Sequence, residues 1–267
     1  SMVPMNLLPK GRTADYVVTG EWSKKALIEA RRVGQTHVAF SSEAQEFRRV
    51  PKNDELQLSP DAAYVHTTSN NTIWGTQWHW EPDTKGRPLV CDMSSDFLSR
   101  PIDTGRYDLI YAGAQKNAGP AGVTMVILRP ELAAEARPDL PVLLSYKTHL
   151  DAGSLYNTPP AFSIYVVHLV LRWLKKKGGL APMAAYNQEK AAIVYAAIDG
   201  SGGFYRGHAE KDSRSLMNIT FRLPSVELEE RFVKEARAAG MDGLKGYRTV
   251  GGIRASVYNA FPIEGAR

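Results

Sequence analysis

The chain has 267 residues and is 43% apolar, enough to bury a sizeable core and to form one large domain with a smaller one beside it. Its 33 basic and 28 acidic residues leave a formal charge of +5 without any long basic stripe, which favours small anionic molecules and argues against nucleic acid. A single cysteine, Cys91, excludes an internal disulfide and suits a reducing compartment, and no apolar run is long and charge-free enough to span a membrane.

Ala14 to Val18 has the pattern of a short strand running into Thr19-Gly20-Glu21-Trp22. Thr19 is placed to cap a helix that carries Ala26, Leu27, Ala30 and Val33 at helical spacing and stops at Gly34. Thr36 to Phe40 is the next strand, residues 42–60 are polar and irregular, and Ala62 to Thr68 is a strand ending in the polar turn Ser69-Asn70-Asn71-Thr72. Leu89, Val90 and Cys91 form a strand that delivers Asp92 at its end. Two more apolar runs, Leu109 to Ala112 and Val123 to Leu128, predict buried strands on either side of a tight connection rich in Gly and Ala, with Lys116 inside it. Strands alternating with crossovers predict an α/β fold with a mostly parallel sheet. The ligand crevice of such a sheet lies at the carboxyl ends of its strands, where Thr72, Asp92 and Lys116 fall.

Beyond this the pattern changes. Asn157-Thr158-Pro159-Pro160 opens a helix from about Pro159 to Lys177 that is apolar nearly all round, the pattern of a buried spine joining two domains. A helix over about Met183 to Ile198, a half-buried strand through Met217, Ile219, Phe221 and Leu223, a helix capped by Ser225, and a last strand at Ile253, Ala255 and Val257 make a small α+β unit. The expected organisation is a large domain over 1–158, a connecting helix over 159–178 and a small C-terminal domain over 179–267.

An ammonium beside apolar walls is pushed toward the neutral, nucleophilic amine, so Lys116 is a candidate Schiff-base former, although by itself the ordinary reading, an exposed loop lysine, comes first. An acidic residue at a neighbouring strand end is what pyridoxal phosphate requires to keep its ring nitrogen protonated, and Asp92 is so placed; its plainer role is to cap Ser94 and Ser95. Trp22 offers a stacking face or else a core tryptophan. Arg248 and Arg254 alternate away from the apolar face of a strand, as a bidentate clamp for phosphate or carboxylate or as solvent-exposed arginines.

Taken with Tyr16-Val17-Val18-Thr19-Gly20-Glu21-Trp22-Ser23, Cys91-Asp92-Met93-Ser94-Ser95, Tyr111-Ala112-Gly113-Ala114-Gln115-Lys116-Asn117, Leu155-Tyr156-Asn157-Thr158-Pro159-Pro160 and Gly251-Gly252-Ile253-Arg254-Ala255-Ser256, the chain closely resembles the phosphoserine aminotransferase family, class V enzymes of the pyridoxal-phosphate fold type I. The resemblance covers essentially the whole chain. It implies that Lys116 forms the internal aldimine and shuttles the proton, that Asp92 pairs with the pyridinium, that Trp22 stacks on the ring, and that Thr72 bonds the region of the ring hydroxyl. It further implies that Gln115 holds the cofactor phosphate of its own subunit while Asn157 and Thr158 reach that of the partner, so that the sites form only in a homodimer. Arg254 would hold the substrate α-carboxylate and Arg248 help with the substrate phosphate. The implied reaction converts glutamate and 3-phosphohydroxypyruvate to 2-oxoglutarate and O-phosphoserine in serine biosynthesis, in the cytoplasm, with 4-phosphohydroxythreonine as a related substrate.

Two departures set further expectations. Tyr247 stands where the family usually has histidine, altering one phosphate contact. The start at Ser1-Met2-Val3-Pro4 resembles the segment that follows the family's Gly-rich phosphate loop, and the end at Ala266-Arg267 stops short of its closing helix, which predicts a weakened anion site and uncovered apolar surface. The competing readings are a non-catalytic fragment that dimerises without cofactor, another fold-type I aminotransferase, and a desulfurase-like lyase, for which Cys91 is poorly placed.

Overall fold

The computed structural model describes residues 1–134 and 137–267. Its helices and strands follow in the order α1 (Met2–Leu7), β1 (Thr13–Val18), α2 (Glu21–Arg31), β2 (Gln35–Ser41), β3 (Val65–Thr68), β4 (Asn70–Asn71), β5 (Thr76–Gln77), β6 (Leu89–Asp92), β7 (Leu109–Gly113), β8 (Thr124–Leu128), α3 (Pro130–Ala134), α4 (Tyr146–Asp151), α5 (Ala161–Lys176), α6 (Leu180–Asp199), β9 (Arg206–Gly207), β10 (Asn218–Arg222), α7 (Val226–Ala238) and β11 (Ile253–Ser256).

Six strands form one sheet in the order β2-β1-β3-β6-β7-β8, parallel throughout except for the antiparallel pair β7–β8. The central strands are continuous apolar or small runs because both faces are covered. Tyr16, Tyr64, Val90 and Leu109 pack with α1 and α2 on one face, while Val17, Ala39, Val50, Val65 and Trp78 form a cluster on the other. Burying one such side chain contributes roughly 1.5–3 kcal/mol. A second, antiparallel sheet, β11-β10-β9, is backed by α6 and α7 through Ile198, Ile219, Phe221, Ile253 and Phe232.

A buried polar seam joins the small sheet to the segments that follow β3, β6 and β7 of the large one. Asn70 donates to Ser95 Oγ at 2.7 Å and to Asn218 Oδ1 at 2.9 Å, and Ser215 Oγ donates to Asn70 Oδ1 at 2.5 Å. Asn259 N–H donates to Asn117 Oδ1 at 3.0 Å, while Asn117 donates to the Phe97 carbonyl at 2.7 Å. Each member left unpaired would cost about 1–3 kcal/mol, so the small sheet is held in one position against the turn that carries Lys116.

Four expectations are corrected here. Gly20, not Thr19, caps α2: Ser23 Oγ accepts from the N–H groups of Thr19 and Gly20 at 3.0 and 3.1 Å, and a Cβ on Gly20 would meet Asn71 Oδ1 at 2.5 Å. Strand β8 is an edge strand and is not buried; Ile127 is 45% exposed. Helix α5 is likewise no buried spine, since only Val167 and Leu174 are buried along it and Phe162 is 77% exposed. Its composition predicted burial on all sides, but only one stripe of it meets the rest of the chain. Finally, Arg248 and Arg254 do not share a strand. Gly251 and Gly252, at φ +77° and +71°, place the backbone where side-chain-bearing residues are strained, and β11 begins only at Ile253.

Candidate active site

The carboxyl ends of β3, β6 and β7 open onto one small cavity of about 150 Å³, lined among others by Trp22, Thr68, Asp92, Ser94, Gln115 and Lys116. The Lys116 turn is tied at both ends. Ala114 N–H donates to the Val123 carbonyl at 2.9 Å, and the N–H groups of Ala118 and Gly119 return to the Ala114 carbonyl at 3.1 and 2.8 Å. Gly119 is required by close packing, because a Cβ there would lie 2.7 Å from Val167 Cγ2. Lys116 Nζ lies 5.1 Å from the centre of the Trp22 ring. Trp22 is in turn fixed by its Nε1–H, which donates to Thr72 Oγ1 at 3.0 Å.

The electrostatics are set by burial. Burial pushes the Lys116 amine below the usual lysine range; the Asp92 carboxylate resists this and the Arg254 guanidinium adds to it. Burial pushes the Asp92 carboxyl above the usual carboxylate range, against the pull of Ser94, Lys116 and Tyr111. Asp92 Oδ1 accepts from the Ser94 N–H at 2.9 Å, and Ser94 Oγ accepts from the Gly113 N–H at 3.0 Å, so one serine couples the carboxylate to the strand that leads into the Lys116 turn. The plainer role expected for Asp92, as a cap for Ser94, therefore coexists with its position at the cavity.

Of the other expected site residues, Thr72 is buried and its carbonyl accepts from Arg254 Nη1 at 3.4 Å. Arg254 Nε is buried and unpartnered, as is Thr68 Oγ1, so both retain hydrogen-bonding capacity. Gln115, Asn157, Thr158 and Arg248 are exposed. The Asn157 amide reaches only the Thr158 carbonyl, at 3.3 Å, among the described residues. Arg248 lines neither the Lys116 cavity nor a separate cleft of about 550 Å³, to which Arg206, His208, Tyr247 and Arg254 contribute. Sequence reading missed Ser94 as a bridge and overlooked Tyr111 and His66; only the Asp-x-Ser spacing carried a signal for the first.

Cys91 is buried, and burial pushes its thiol up to about 12, the opposite of what a reactive cysteine needs. Among the described residues no group of His, Cys, Asp and Glu is arranged to hold a metal, and no helix is long and apolar enough to cross a membrane.

A poised lysine, a carboxylate and an aromatic face at the strand ends of a mostly parallel sheet define a class of protein. Residues 1–266 match the aminotransferase class-V family, and the chain belongs to that family. Within it, the phosphoserine aminotransferase of Desulfosudis oleivorans is 60% identical over 267 residues, which are 99% of this chain and 73% of that protein. The solved phosphoserine aminotransferase of Bacillus circulans subsp. alkalophilus is 56% identical with a TM-score of 0.98, over 99% of this chain and 73% of its own. That of Trichomonas vaginalis, solved with pyridoxal phosphate bound, is 37% identical with a TM-score of 0.93, over 100% of this chain and 76% of its own.

Proposed function

We infer that the chain is a phosphoserine aminotransferase, transferring an amino group between glutamate and 3-phosphohydroxypyruvate with pyridoxal phosphate as cofactor. The observation that carries this reading is the convergence of the Lys116 amine and the Asp92 carboxyl on one cavity beside the Trp22 ring. The residues fit the cofactor: an amine displaced toward its neutral form, a carboxylate able to hold a ring N–H, an aromatic face, and the unpartnered hydroxyl of Thr68. When bound, pyridoxal phosphate supplies a cationic ring that withdraws electrons from the carbon next to the amino group.

Lys116 has two tasks. Its neutral amine would hold the cofactor, and the same amine would take and return the proton at the substrate carbon. Asp92, held by Ser94, would keep the ring nitrogen protonated, and Trp22, anchored on Thr72, would fix the plane of the ring. Arg254, with an idle Nε beside Thr72, is the carboxylate clamp we assign; Arg248 and the neighbouring Tyr247 would serve the substrate phosphate from their exposed turn. Gln115 would contact the cofactor phosphate of its own subunit.

Asn157 and Thr158 support a homodimer. They are exposed, and they precede a helix whose Phe162, Tyr165 and Leu169 are open to solvent, a surface suited to a second copy of the chain. In that arrangement each subunit would lend these two residues to the other's cofactor phosphate. The residues before 159 and after 178 are best read as a large and a small domain joined by α5, and the buried lone cysteine accords with the cytoplasm.

The test is a set of half-reactions with the cofactor-loaded protein. Phosphoserine and glutamate each discharge the visible band of the bound cofactor, and alanine does so far more slowly. Preference for alanine contradicts the substrate assignment, and failure to acquire a borohydride-sensitive visible band contradicts the enzyme itself.

A further inference from the structure

The rings of Tyr16, His66 and Tyr111, on β1, β3 and β7, lie together and line a separate cavity of about 530 Å³. The Tyr16 and His66 rings lie parallel, 4.9 Å apart and 21° from coplanar, and His66 Nε2 is 2.9 Å from the Tyr111 hydroxyl. Tyr111 is the register neighbour of Asp92 across β6 and β7, which puts the two side chains on the same face of the sheet, and the phenol draws the Asp92 carboxyl downward against the effect of burial. His66 Nδ1 is buried and has no partner.

The Tyr111 hydroxyl has one proton and two acceptors to choose from. Given to His66, it leaves the phenol oxygen facing the Asp92 carboxylate, acceptor against acceptor. Given to Asp92, it makes a charge-assisted bond, about twice as strong as a neutral one, and the imidazole must then carry its proton on Nε2 and donate to the phenol oxygen. The bare atom is then Nδ1, the very nitrogen that has no partner. We propose that His66, as the Nε2–H tautomer, and Tyr111 form a donor chain that orients one hydrogen bond onto Asp92, and that both are positioning residues for the carboxylate that meets the cofactor's ring nitrogen. Burial supports the protonation states required: the imidazole is pushed down to about 3 and stays neutral, and the phenol is pushed far up and keeps its proton. The other groups facing Asp92 are Ser94 and Lys116, with Asp96 and Cys91 further along the same segment. Of Ser94, Lys116 and Tyr111, Tyr111 is the one hydrogen-bonded to a further buried side chain among the described residues.

The proposal rests on the reading of Asp92 as the ring-nitrogen partner, and two measurements separate the two claims. Nitrogen NMR of the histidine rings in the unsubstituted, cofactor-free protein reports the tautomer directly. The ring that stays neutral to acid pH carries its proton on Nε2; a proton on Nδ1 overturns the chain whatever Asp92 does. The second is the pH dependence of pyridoxal phosphate binding, read by tryptophan fluorescence without any amino-acid substrate. Binding that requires ionised Asp92 is retained at high pH and lost as pH falls through its pKa. Tyr111→Phe removes a bond to the ionised form, so that acidic limb moves upward by about one pH unit, and His66→Phe moves it in the same direction. A limb that stays in place in both variants overturns the proposal. Binding that has no acidic limb and survives Asp92→Ala overturns the reading of Asp92 instead.

Discussion

The strand ends around Asp92 and Lys116 and the segment from Leu155 to Lys176 are both expected to touch the same cofactor, yet they are built differently. In the first, each side chain is held by another: Asp92 by Ser94, Trp22 by Thr72, and the Lys116 turn by the Asn117–Asn259 seam. In the second, Asn157, Thr158 and the apolar face of α5 stand in solvent with few contacts to the chain that carries them. On the proposed reading, the difference separates a preorganised half-site, held within one subunit, from one that would acquire its surroundings from a second copy. Rigid strand ends suit the chemistry, where small displacements are costly, and the exposed segment suits assembly.

Breaking the first region has the largest effect. Lys116→Ala removes both the covalent anchor and the proton carrier, and is expected to lower kcat by at least about 10³-fold, measured by single-turnover absorbance with phosphoserine. Asp92→Ala would leave the cofactor ring unpaired in a buried site and is expected to cost about 3–5 kcal/mol in kcat/KM, roughly 10²- to 5 × 10³-fold, in the same assay. Arg254→Ala loses one charge-assisted contact, about 1.5–3 kcal/mol. That loss falls on KM for both substrates while cofactor affinity measured by fluorescence is nearly unchanged; equal losses in both would assign Arg254 to the cofactor.

The second region is tested by assembly. Phe162→Asp with Leu169→Asp places charges on the open face of α5 and is expected to shift the protein from dimer to monomer in sedimentation, with loss of cofactor affinity because Asn157 and Thr158 are withdrawn. A monomeric parent protein would remove the distinction between the regions. The smallest effect is on the cofactor-free fold. The Asp92 carboxyl titrates higher in the folded chain than in the unfolded one, so the stability it contributes is present at low pH and is lost as pH rises through the folded pKa. Asp92→Asn, neutral at every pH, should therefore raise the melting temperature of the cofactor-free protein near neutral pH and leave it little changed in acid, as followed by circular dichroism.

How much of this was legible in the sequence divides along the same line. Asp92 and Lys116 were readable because glycine, alanine and short apolar runs mark where buried parallel strands stop, and ligands meet such sheets there. The exposure of α5 was not, because periodicity reports that a face is apolar and says nothing of what covers it. The strand assigned to Arg248 and Arg254 failed on two consecutive glycines with positive φ, which the alternating pattern around them concealed. Tyr111 and His66 lie 45 residues apart and meet only through the register of β3, β6 and β7, a tertiary fact with no local signature.

The central claim is that Lys116 is the residue that binds the cofactor, and it is tested most directly by loading the protein with pyridoxal phosphate, reducing with borohydride and mapping the peptides by mass spectrometry. The account predicts a pyridoxyl group on the peptide containing Lys116 and on no other. A pyridoxyl group on a different lysine, or none at all, would contradict it.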